Sequence, residues 1–207
     1  MKTSPFLQVL LALGLLAVAA GLTFRSCRGP KIDLDPYLAL ASVAAEEAAG
    51  MIGGKGTLVL VIPDTGSDRD PVQDAQVNAF RKALKARGGV QVSAVEPVRL
   101  NPFQSMQTGG AIPSDQYLAL RKKHATASGI VLFIAFPPLS DEEVESLGKS
   151  STKVMVVSAE LPSYRGFIKS GAIDLAVVPR QTPAESSGTK AASVRESFDR
   201  ENEILRR

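Results

Sequence analysis

Short runs rich in β-branched and apolar residues recur along the chain at 57–62 (TLVLVI), 90–95, 130–136 (IVLFIAF), 154–157 and 173–178. They are too short for helices and too apolar for half-wetted strands, so they predict five strands buried on both faces. Helical patterns lie between them. Asp35-Pro36 places an N-cap residue and a first-turn proline before an Ala-rich run ending near Gly50 or Gly53-Gly54, and Asp70-Pro71 repeats that start. Val72, Ala75, Ala79, Phe80, Ala83 and Leu84 then fall on one helical face, and Gly88-Gly89 ends it. Ser114 can cap a helix carrying Tyr117, Leu120 and His124. Ser140 with Glu143 reads as a capping box before Val144 and Leu147, and a short helix around Tyr164, Phe167 and Ile168 stops at Gly171.

Strands alternating with helices at this spacing predict βαβ units, right-handed crossovers and a parallel sheet between two helical layers. The expected fold is α/β: a five-stranded doubly wound parallel sheet of order 2-1-3-4-5, occupying residues 34–180. Residues 99–113 read as a long loop, a lid or a mobile connection. Residues 181–207 read as a flexible linker followed by a charged helix with Val194, Phe198 and Leu205 as a thin apolar stripe, docked on the sheet or partly disordered.

Residues 1–24 stand apart. The stretch 6–24 is uncharged, and at 1.5 Å per residue it reaches roughly 28 Å, just enough to span a hydrocarbon core. A cleaved signal peptide is the alternative, given Lys2 and the small-residue pattern Ala17-Val18-Ala19. An uncleaved anchor is preferred because apolar character continues to Phe24. Phe24-Arg25-Ser26 is a poor lipobox for Cys27. Residues 25–33 form a tether. The basic residues Arg25, Arg28 and Lys31 favour a cytoplasmic C-terminal side, whereas an apolar core behind a short n-region is what export machinery accepts.

Charge sharpens this division. The net charge of +3 belongs to the N-terminal flank. Without the four basic residues of 1–31 the remainder carries −1, so no basic face for nucleic acid is expected. One Cys and one His exclude a disulfide framework, a Cys-rich zinc module and a multi-His metal centre.

Three stretches are similar to a known family: AAEEAAGMIGGKGTLVLVIPDTGSDRDP, QVNAFRKALKARGGVQVSAVEP and FIKSGAIDLAVVPR. In helix, turn and strand pattern they resemble one lobe of the type I periplasmic sugar-binding proteins, the ribose-binding-like group. The resemblance implies a domain outside the cytoplasm and a polar ligand, such as a sugar, held between two lobes. This chain departs from the family in three ways. It has room for about one lobe, it contains no Trp, and its third strand ends in Phe136-Pro137-Pro138, where the family tends to place polar ligand contacts.

In open α/β sheets ligands sit at the carboxyl ends of the strands. Here that edge would be built from loops 63–70, 136–140 and 158–164. The candidate ligand contacts are Asp64, Thr65, Gly66, Ser67 and Arg69 in the first loop, with Glu160 and Tyr164 in the third. A capped, solvated turn uses the same residue types as the first loop. Enzyme readings are weaker. Thr65-Gly66-Ser67 faintly resembles a flavodoxin phosphate loop, but the chain has no Trp to stack a flavin. Phe136-Pro137 stands where a receiver domain needs Asp. Residues 53–57 (GGKGT) precede a strand, whereas a phosphate loop follows one. His124 near a helix end is expected to meet the last carbonyls, and Asp141, Glu142, Glu143 and Glu145 suit a helix start. No catalytic residue, metal or cofactor is assigned.

The sequence thus predicts a non-enzymatic, membrane-tethered binding or protein-interaction domain, with a flavodoxin-like or nucleotide-handling enzyme as the alternative. Its partners would be the membrane, a small polar ligand such as a sugar, and a protein or second lobe. Weighing the resemblance over the flanking charges places the domain in the periplasm or outside the cell, anchored by one span in a bacterial inner membrane, or secreted if the segment is cleaved.

Overall fold

The computed structural model describes residues 32–66, 70–157, 164–181, 191 and 193–207. The anchor or signal segment, most of the tether and most of the linker after 181 lie outside them. Among the described residues no helix is long and apolar enough to cross a membrane.

Six strands form one sheet: β1 (Gly56–Pro63), β2 (Val90–Val98), β3 (Gly129–Leu132), β4 (Lys153–Val157), β5 (Leu175–Pro179) and β6 (Asn202–Arg206), in the order β2-β1-β3-β4-β5-β6. The first five pair in parallel, with Leu60 opposite Val131 and Val131 opposite Met155. The expected order of the parallel strands therefore holds. The strand count does not: β6 adds an antiparallel sixth strand, Val177 opposite Ile204.

Side-chain alternation sorts the strand residues into two cores. Leu58, Leu60, Val131, Met155 and Val177 meet α1 (Asp35–Met51), α2 (Pro71–Arg87) and α7 (Val194–Glu201). Val59, Val61, Ile130, Leu132 and Val156 meet residues of α4 (Ser114–Lys123), α5 (Asp141–Gly148) and α6 (Tyr164–Ser170). Alanines dominate the buried side of α1, where Ala41, Ala44, Ala45 and Ala48 are wholly buried, so this helix sits close to the sheet. Asp70 caps α2 by accepting from the Val72 and Gln73 amides, and Ser140 and Glu143 close the expected capping box on α5.

Five local expectations are corrected. The 99–113 segment is not a structureless loop: Asn101 caps a short helix, α3 (Pro102–Thr108), with Gln104 completing a capping box. Its cap-then-proline start is the one used at Asp70-Pro71. The third strand ends at Leu132 rather than running to 136, because its extension leaves the ladder and Ala135 bridges Ala111 instead. Asp35 lies inside α1 instead of capping it, and Ser114 opens α4 with its hydroxyl donating to the Pro138 carbonyl.

The fifth concerns the C-terminal segment. Val194, Phe198 and Leu205 do not share one helical stripe. Phe198 is buried, Val194 is exposed and Leu205 belongs to β6. The physical reason is the open edge of β5, whose buried Leu175 and Val177 need a neighbour. β6 supplies it, and Glu47 on α1 clamps the arm by accepting from Arg195 at 3.4 Å and Arg206 at 2.6 Å. Phe198→Ala should lower unfolding stability by about 3–5 kcal/mol in urea melts. It should also speed amide exchange in β5 and β6 before the rest of the sheet. An unchanged midpoint would show that the arm merely decorates the edge.

Candidate functional site

The carboxyl edge of the sheet is organised around the end of β1. Leaving the strand, the Asp64 amide donates to the Val98 carbonyl at 2.8 Å, which keeps the exits of β1 and β2 together. The Asp64 carboxylate then does two things. Its Oδ1 accepts from the Gly66 amide at 2.9 Å, forming an Asx turn, and its Oδ2 accepts from Arg99 Nε at 3.0 Å. Gly66 has φ +75, a conformation that disfavours side chains, and an added Cβ would sit 3.7 Å from the Arg99 guanidinium. The turn therefore needs glycine for its backbone rather than for space.

The Gly66 amide is the main influence holding the Asp64 carboxyl below its ordinary pKa. Arg99 adds to it, and partial desolvation opposes both. Arg99 is the first residue after β2 and its side chain is 71% exposed. Its Nε bonds Asp64 and its terminal N–H groups bond nothing among the described residues, so they can serve a carboxylate or a sugar hydroxyl. Three residues after Arg99 in the chain, α3 begins and carries two apolar side chains one turn apart, Phe103 at 69% and Met106 at 85% exposure.

Beyond this corner the edge is apolar. Ile112 donates its amide to the Ala135 carbonyl, and Ile112, Ile134 and Phe136 are buried. Phe136 packs between Tyr117 and Phe167, ring centroids 5.3 and 5.0 Å away. Burial pushes the Tyr117 hydroxyl up to about 12, so this ring serves as core and not as an acid or base at neutral pH. Tyr164 sits in the same core at 1% exposure.

The structure therefore brings Asp64, Thr65 and Gly66 together and keeps Tyr164 inside. Ser67, Arg69 and Glu160 lie outside the described residues. Sequence reasoning missed Arg99, Phe103 and Met106. The available signal was Asn101-Pro102, a helix start that would have put Arg99 at a strand exit and Phe103 on a first turn.

Elsewhere, His124 does not rest on the carbonyls of its helix. Its Nε2 lies 2.8 Å from Glu96 Oε1, and Lys123 Nζ reaches both oxygens of the same carboxylate at 2.9 Å. Glu143 closes the α5 cap and Glu145 pairs with Lys149. Among the described residues no three His, Cys, Asp or Glu side chains converge on a metal-sized site.

These features define an α/β lobe of doubly wound type whose polar corner sits at the exits of β1 and β2. No family model and no curated protein matches the chain. Solved structures do. GanP, a glucose-galactose binding protein from Geobacillus stearothermophilus, aligns with TM-score 0.50 and 16% identity over 83% of this chain and 60% of its own. The XylFII-LytSN complex aligns with TM-score 0.50 and 17% identity, over 69% and 48%. A sugar ABC transporter structure from Actinomyces odontolyticus aligns with TM-score 0.46 and 17% identity, over 68% and 43%. The chain has the fold of one lobe of the first two, the architecture its sequence resemblance implied, and spans about half the length of the solved structures it matches.

The Glu96 cluster gives a pH prediction. Hydrogen bonding from Lys123 is the largest influence lowering the Glu96 pKa. His124 adds to it and burial opposes it. A carboxylate with a depressed folded pKa stabilises above its unfolded value, near 4.5, and loses that contribution as pH falls through the folded one. Glu96→Gln should cost about 0.5–1 kcal/mol at neutral pH. It should also flatten the acid limb of a urea-midpoint profile below that value. A limb as steep as that of the parent protein would assign the acid sensitivity elsewhere.

Proposed function

We propose that this lobe is a non-enzymatic binding domain, tethered to a membrane by residues 6–24, that takes a small polar ligand, such as a sugar, at its carboxyl edge. The observation that carries the reading is the Asp64–Arg99 pair. It joins the exits of two adjacent strands and fixes a planar donor group on the surface, four residues before the exposed Phe103 in the chain. Donors of fixed geometry beside an apolar face are what a sugar ring, with its equatorial hydroxyls and C–H patches, requires.

One side of such a ligand would rest here. The other would be covered by a second lobe or a protein partner, in keeping with the exposure of Phe103 and Met106. Thr65 is a further contact within this reading, with Ser67 and Arg69 in the same loop. Glu160 is a contact from the third loop. The likeness to GanP supports a sugar over other polar ligands, and the apolar packing around Phe136 disfavours a phosphate-binding or flavin-binding edge.

The full chain in detergent tests this by thermal melting with D-glucose, D-galactose and D-xylose. A ligand at about a hundredfold its Kd stabilises the fold by about 2.7 kcal/mol, a visible shift. The shift should disappear in Arg99→Ala and shrink in Phe103→Ala. Stabilisation by FMN or nucleotides and by none of the sugars would favour the enzyme alternative. For the tether, a phosphatase fused after Arg207 should be active if the domain lies in the periplasm or outside the cell. A fusion that is active only as a cytoplasmic reporter overturns that orientation.

A further inference from the structure

We propose that the open edge of β2 is a docking strip for an acidic peptide segment in extended conformation. β2 is the outermost strand of the sheet, and no strand among the described residues pairs with its outer side. Its nine residues span about 30 Å. Pro97 has no N–H to offer, so pairing is confined to the stretch before it.

A groove of about 420 Å³ runs beside the first residues of this strand. Leu84 and Val90 form its apolar floor, with Val92 half-buried behind them. Gly88 leaves its rim open, since a Cβ added there would meet nothing within 4 Å. Gly89 anchors the turn, with φ +78 and a would-be Cβ only 2.4 Å from the Gly54 carbonyl oxygen, so the strand starts from a fixed position. Arg81 and Lys85, one turn apart on α2, line the groove and are exposed.

Charge decides which extended segment fits. Residues 75–95 contain Arg81, Lys82, Lys85 and Arg87 and no acid. Arg87 is paired with Glu46 at 3.4 Å, while Arg81, Lys82 and Lys85 pair with no carboxylate among the described residues. Strand addition would satisfy the edge amides and carbonyls, and every second side chain of the added strand, those on the α2 side, would set an apolar group over Leu84 and Val90 and acids two residues to either side of it against Arg81 and Lys85. A second copy fits poorly. Antiparallel pairing about a two-fold axis sets the start of one β2 against Pro97 of the other, or sets the two cationic grooves together. The strip adjoins the start of β2, whereas the Asp64–Arg99 corner lies beyond its end, so this inference stands apart from the sugar reading.

The test uses the full chain in detergent and a fluorescein-labelled eight-residue peptide with Glu and Val alternating along one strand face and Thr at every position of the other, read by anisotropy and by amide exchange. The peptide should bind and should slow exchange of β2 amides. The double variant Arg81→Glu, Lys85→Glu, with its helix content checked by circular dichroism, should bind about tenfold more weakly, the equivalent of about 1.4 kcal/mol. Three results would each overturn the proposal. The first is no binding at about 1 mM peptide, a free energy near −4 kcal/mol. The second is equal binding by a peptide with N-methylated valines, or by a single-stranded DNA oligomer, since either means charge attraction without strand pairing. The third is a dimer in sedimentation whose β2 amides are already protected without peptide.

Discussion

Leu58 and Leu60 point to one side of the sheet, Val59 and Val61 to the other, and all four are wholly buried. β3 and β4 repeat the arrangement, so the centre of the sheet has no side that water can wet. This double-sided burial dictates most of what surrounds it. Helices must cover both faces, so each parallel strand is followed by a crossover, and irregular chain is pushed to the two ends of the strands. Polar function is thereby confined to the edges, because a polar group inside would have to find its partners in a medium that supplies few.

The sheet order was legible because it rests on features a sequence displays directly: the length of each apolar run, the cap before each helix and the glycine after it. Asp70 and Ser140 cap as read. What could not be read depends on distant partners. β6 is charged and only partly buried, and its strand conformation comes from β5, which needs a neighbour, and from Glu47, far away in sequence. Residues 133–136 are as strand-like as 129–132, yet they leave the ladder, because the hydrogen-bond partner at that depth is a segment arriving from α3.

The candidate site divides in the same way. Asp64, Thr65 and Gly66 were recognisable from turn chemistry alone, which is local. Arg99 was not, because its importance lies in reaching a carboxylate 35 residues earlier. Tyr164 was placed at the surface by its position after a strand, and its ring is instead drawn into the core that Phe136 and Phe167 also occupy. An aromatic ring beside a loop gains more from burial than a loop assignment reveals.

The clamp on Glu47 has a consequence for the order in which the molecule can assemble. Its bond to Arg206 joins residues 159 apart, and the two salt bridges on that one carboxylate tie α1 to both α7 and β6. A growing chain meets this contact last. Until residues 194–206 have emerged, β5 has a bare outer edge and the face later covered by Phe198 is open. Closure across so long a loop is intrinsically slow. The interval before it is the period in which the unfinished edge is most exposed to self-association. The lobe is therefore closed only once α7 and β6 have been made, so a chain cut short before them would keep the β5 edge bare.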